Sequence, residues 1–182
     1  MKNLFILFFI FGLYFTTKCQ KVTTFYLVRH AEKVTTDPNN KDPLLTENGQ
    51  KRAVFLTKKL KKKKLSAIYS TDFQRTKLTV KPVAEKQKID VKIYNPKQLK
   101  MWASTLLQEY KGGRVLIVGH SNTVLETIEA LGGERPFTEI TEQDYDYFFT
   151  VNIEKDGTVK VDVEHYGEKS SGTEGLQMMK NN

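Results

Sequence analysis

The chain has 182 residues, 39% of them hydrophobic and 27% charged, a size and composition that fit one globular domain with its own core. Its only cysteine, Cys19, excludes an internal disulfide, a thiol nucleophile and a cysteine metal site, so any chemistry falls to His, Arg and carboxylates. The formal net charge of +8 favours anionic partners.

The amino terminus reads as a processing signal. Lys2 precedes an apolar run from Leu4 to Tyr14, and Thr17-Lys18-Cys19 offers the small residues that a signal peptidase reads. Removal of residues 1–19 leaves a mature chain from Gln20, exported to the periplasm or beyond the cell. The apolar run is too short for a comfortable membrane span, so no stable insertion is expected. Lipid attachment at Cys19 is the rival reading, but Lys18 fits a lipobox poorly and only about three residues would separate the anchor from the first strand. Export into solution is preferred.

Phe25-Tyr26-Leu27-Val28 predicts a buried strand that empties abruptly into Arg29-His30-Ala31-Glu32-Lys33. Residues 34–42 form a polar loop with Pro38 and two Asn. Thr46 then opens a helix whose apolar positions Ala53, Leu56 and Leu60 recur at helical spacing. Lys58, Lys59 and Lys61 to Lys64 crowd its carboxyl end as a solvated face; with no aromatic or arginine among them, no nucleic acid is expected as a partner. Leu65 to Tyr69 predicts a second strand, and Ser70-Thr71-Asp72 supplies amino-caps for a helix running to about Lys86. Arg75 lies in the first turn of that helix, where the dipole disfavours a cation unless an anion binds there.

Val91 to Tyr94 predicts a third strand and Gln98 to Tyr110 a third helix, stopped by Gly112-Gly113. The strongly apolar Val115-Leu116-Ile117-Val118 follows, ending at Gly119-His120-Ser121, with a helix from about Val124 to Leu131. Tyr145 to Ile153 and Thr158 to Val163 form a hairpin about Asp156-Gly157, its aromatics serving sheet packing and His165 a structural role. Residues 168–182 are polar and are expected to form a disordered tail.

Four alternations of strand and helix predict an α/β fold, a doubly wound, mostly parallel sheet with helices on both faces and a C-terminal antiparallel hairpin, over residues 20–167. This places Arg29, His30, Arg75 and His120 at the carboxyl edges of three strands. Two guanidinium forks, two imidazoles and two helix amino ends make a site for a tetrahedral oxyanion, most often phosphate in biology. A charged surface turn could absorb any one of these residues, but not all four at one edge.

Arg29-His30-Ala31-Glu32, Leu45-Thr46-x-x-Gly49, Ser70-Thr71-x-x-x-Arg75 and Gly119-His120 resemble the motifs of the histidine phosphatase superfamily, as a small single-domain member without a cap. The resemblance implies that His30 is the nucleophile, forming a phosphohistidine, while Arg29, Arg75 and His120 hold the equatorial oxygens. It implies no cofactor and no metal, the arginines doing the metal's work. Ser121 is a further candidate for substrate binding.

The chain departs from the family at the group that protonates the leaving oxygen. A glutamate after the third strand is replaced by Tyr94-Asn95-Pro96-Lys97, and an aspartate after the second histidine by Ser121. Glu32, Asp37, Asp42 and Asp72 are the candidates, with Glu32 leading because it follows His30 by two residues. The expected function is an exported, metal-independent phosphomonoesterase acting on a phosphorylated small molecule or phosphoprotein. The alternatives are a phosphohistidine protein phosphatase and a phosphate-binding protein that has lost turnover.

Overall fold

The computed structural model describes residues 21–170; the expected signal peptide, Cys19 and residues 171–182 lie outside the described residues. Strands β1 (Thr23–Arg29), β2 (Ala67–Ser70), β3 (Val91–Ile93) and β4 (Arg114–Gly119) alternate with helices α1 (Glu47–Lys59), α2 (Gln74–Gln87), α3 (Leu99–Glu109) and α4 (Ser121–Ala130). The hairpin β5 (Tyr147–Ile153) and β6 (Val159–His165) closes the chain. They form one six-stranded sheet ordered β3-β2-β4-β1-β5-β6, parallel across the first four strands and antiparallel in the last two. Both the α/β class and the antiparallel hairpin hold.

Side chains of β1 alternate between two cores, as the pleat requires. Phe25 and Leu27 join Val115 and Ile117 under α3 and α4, while Tyr26 and Val28 join Leu116 and Val118 under α1 and α2. With both faces covered, β1 is buried along its whole length and therefore reads as an apolar run.

The element ends differ from expectation where side chains act across the fold. α1 stops at Lys59, so Lys61 to Lys64 lie exposed in the turn before β2. Neither Ser70, Thr71 nor Asp72 caps α2: the cap residue is Phe73, and the Asp42 carboxylate, reaching over from the 34–43 loop, accepts from the Gln74 N–H at 2.8 Å. α4 begins at Ser121 rather than Val124, because His120 is extended and the Thr123 hydroxyl accepts its N–H at 2.8 Å. Within the described residues, no helix is long and apolar enough to cross a membrane.

Candidate active site

β1 and β4 are parallel neighbours whose following helices depart to opposite faces of the sheet, α1 below and α4 above. That divergence opens a crevice at their carboxyl ends, the place where open α/β sheets bind ligands. The register pairs Arg29 with Gly119, and the His30 N–H extends the ladder to the Gly119 carbonyl at 2.9 Å. His30 and His120 are thereby set side by side, ring centroids 5.5 Å apart. Gly119 lets the Thr123 and Tyr94 hydroxyls pack against the end of β4, since a Cβ there would lie 2.7 and 2.8 Å from them.

His30 is 2% exposed. Its Nδ1 lies 2.8 Å from the Ala31 carbonyl, which can only accept, so Nδ1 carries the proton and Nε2 presents a lone pair. Burial first, then the charges of Arg29, His120 and Arg75, lower its pKa to about 3 against the opposing Ala31 hydrogen bond. His120 Nε2 lies 2.9 Å from the Thr71 hydroxyl, which itself donates to Thr76; the histidine therefore donates through Nε2. Burial, Arg75 and Arg29 lower the His120 pKa to about 4. Both imidazoles are neutral at pH 7.

Arg29 is buried and held through its Nη atoms. Its Nη1 donates to the Thr141 carbonyl and, at 3.2 Å, to the Asp144 carbonyl, while its guanidinium lies 4.5 Å over the Tyr145 ring. Arg75 stacks 4.3 Å over Phe73, and its Nη1 meets the Lys41 carbonyl at 3.3 Å and Asp42 at 3.6 Å. The Nε atoms of both arginines are buried with no acceptor among the described residues. A buried donor without an acceptor costs about 1–3 kcal/mol. Two of them on cations flanking a neutral imidazole define a seat for an anion with several acceptor oxygens.

Sequence reasoning brings Arg29, His30, Arg75 and His120 to one site, and the structure gathers all four. Ser121 is half-buried as the first residue of α4. The Glu32 carboxylate takes the Arg52 Nε and Nη2 hydrogen bonds at 2.7–3.0 Å, a charge-assisted clamp that occupies it. Arg52 also holds the Tyr166 and Glu168 carbonyls at 2.8 and 2.9 Å, so Glu168, expected in the tail, is bound to the domain. Tyr145, expected to pack in the sheet, lies on Arg29 instead.

Glu142 escaped sequence reasoning. Its Oε2 lies 3.1 Å from Arg29 Nη2 and 3.3 Å from Lys33 Nζ. Burial would raise its pKa, but the charges of Arg29 and Lys33 outweigh this and lower it. It lies in an aperiodic segment between α4 and β5, and only the return of that segment over the strand ends would have flagged it. Gly49 of the Leu45-Thr46-x-x-Gly49 motif packs directly on the Glu32 carbonyl, leaving no room for a Cβ. Among the described residues, no group of three or more His, Cys, Asp or Glu could hold a metal ion.

Residues 25–100 match the family model described as histidine phosphatase superfamily (branch 1), a stretch that includes Arg29, His30 and Arg75. No curated protein matches the chain. Among solved structures, the protein histidine phosphatase SixA complexed with tungstate is similar at 16% identity and a TM-score of 0.63, covering 78% of this chain and 96% of that one. YhfR of Bacillus stearothermophilus is 20% identical with a TM-score of 0.62, covering 78% and 96%. A mycobacterial glucosyl-3-phosphoglycerate phosphatase is 11% identical with a TM-score of 0.60, covering 80% and 99%. At these identities the shared property is the fold.

Proposed function

We propose that this chain of the histidine phosphatase superfamily hydrolyses phosphomonoesters without a metal, through a phosphohistidine formed on Nε2 of His30. The observation that carries the reading is the neutral His30, its Nε2 unprotonated, between two arginines whose buried Nε donors have no protein acceptor. In the reaction, Nε2 attacks phosphorus and the imidazole, whose Nδ1–H rests on the Ala31 carbonyl, gains positive charge. Arg29 and Arg75 meet the charge on the equatorial oxygens, the Nε2–H of His120 turns from the Thr71 hydroxyl to donate to one of them, and Ser121 lies at the helix end nearest His120. The apolar segment at the start of the sequence, Leu4 to Tyr14, supports export as its place of action.

The test is hydrolysis of an aryl phosphate with and without chelator, on wild type and His30→Ala. We expect equal rates in chelator and loss of turnover in His30→Ala. Activity abolished by chelator and restored by zinc or magnesium refutes the metal-free reading; near-normal turnover in His30→Ala refutes the nucleophile. A second reading is favoured by the fold likeness to the protein histidine phosphatase SixA, of which the match covers 96%. A phosphohistidine-bearing protein as substrate would then be dephosphorylated faster than a small phosphoester at equal concentration.

A further inference from the structure

We infer that Glu142 is the residue that protonates the leaving oxygen, an assignment that rests on the phosphatase reading above. The carboxylates suggested by sequence are each committed elsewhere. Glu32 is clamped by Arg52, Asp72 pairs with Lys77 at 2.9 Å, and Asp37 accepts the Asn39 N–H at 2.9 Å. Asp42 accepts the Gln74 N–H at the start of α2 and faces Arg75. Glu142 alone among these touches the guanidinium of Arg29, at 3.1 Å.

Its placement is built rather than accidental. The carbonyls of Thr141 and Asp144, on either side of it, both accept from Arg29 Nη1. The Thr141 N–H and hydroxyl donate to the Asp144 carboxylate at 2.9 and 2.6 Å, closing the turn. The backbone around Glu142 is therefore pinned to the phosphate-binding arginine, while the side chain is 69% exposed and has room to pivot. Its charge is also felt at His120 and Arg75, which puts it within range of the whole anion seat.

An incoming phosphate dianion displaces the carboxylate from Arg29, and Glu142, now beside a dianion and left with Lys33 as its one cation, takes up a proton from solvent. The His30 Nε2–P bond forms as the P–O bond breaks, and the Glu142 proton passes to the leaving oxygen. Water then attacks phosphorus, giving its proton to the Glu142 carboxylate. The N–P bond breaks, releasing inorganic phosphate and neutral His30.

Single-turnover phosphorylation over a series from p-nitrophenyl phosphate to alkyl phosphates tests this on wild type, Glu142→Gln and Glu142→Asp. In Glu142→Gln, alkyl phosphates should slow by about 10² to 10⁴ while p-nitrophenyl phosphate, whose leaving group needs no proton, slows by less than about tenfold. Glu142→Asp should recover part of the alkyl rate. Inorganic phosphate should bind Glu142→Gln more tightly than wild type, since the competing carboxylate charge is gone. An unchanged dependence on leaving group, or an equal loss across the series, overturns the role of Glu142 and leaves the phosphatase reading standing. A wild type that turns over no ester overturns both.

Discussion

At the scale of single residues, the site works by keeping two histidines uncharged beside two permanent cations. With folded pKa values of about 3 for His30 and about 4 for His120, against an ordinary 6.5, the unfolded chain binds more protons than the folded one between these limits. Stability from these groups is therefore complete above about pH 6.5 and is lost as the pH falls towards 4. The melting temperature should drop between pH 7 and 5, and His30→Ala should flatten that drop; ring-proton NMR should find both imidazoles neutral at pH 5. The pair Glu32–Arg52 is a second residue-scale device. Glu32→Gln should cost about 3 kcal/mol, because it strands a guanidinium that is only 4% exposed. Denaturant unfolding measures this, and a cost under about 0.5 kcal/mol would show that the clamp contributes little.

At the scale of elements, what the sequence disclosed followed from burial. β1 and β4 are legible because they are covered on both faces and end abruptly in polar residues, and the amino cap of α1 because Thr46 accepts the Gly49 N–H locally. The cap of α2 and the Glu142–Arg29 pair were not legible, since both join segments with no periodic pattern, the first across 32 residues of sequence. Glu32 was favoured from strand alternation, but β1 ends at Arg29 and the rule no longer applied three residues on. Asp42 now stands out as a cap supplied in trans. Asp42→Ala should destabilise the chain by about 1 kcal/mol. It should also tighten phosphate binding, since a carboxylate 3.6 Å from Arg75 no longer competes for the cation while the Lys41 carbonyl still holds its Nη1. A variant with unchanged phosphate affinity would separate the two roles.

At the scale of the whole molecule, the fold brings its chemistry together by crossing the chain over itself, α1 with α2 on one face of the sheet and α3 with α4 on the other. A break in either core should be felt at the site. Leu116→Ala removes a fully buried side chain beneath α1 and α2 and should cost about 2–5 kcal/mol by thermal or denaturant unfolding. The grip of Arg52 on the Tyr166 and Glu168 carbonyls has a different kind of consequence. Ser170 extends the same attachment, its N–H meeting Asp146 at 3.3 Å and its hydroxyl accepting the Tyr145 N–H at 2.9 Å. A chain ending at Gly167 should melt at least about 3 °C below one ending at Ser170, through loss of the Arg52 bond alone. During synthesis, the motif beginning at Arg29 emerges from the ribosome early, but the clasp that steadies Glu32 and Tyr145 closes only when residues 166–170 follow. A protein stalled short of that point would carry every residue of the anion seat and still lack the brace behind it.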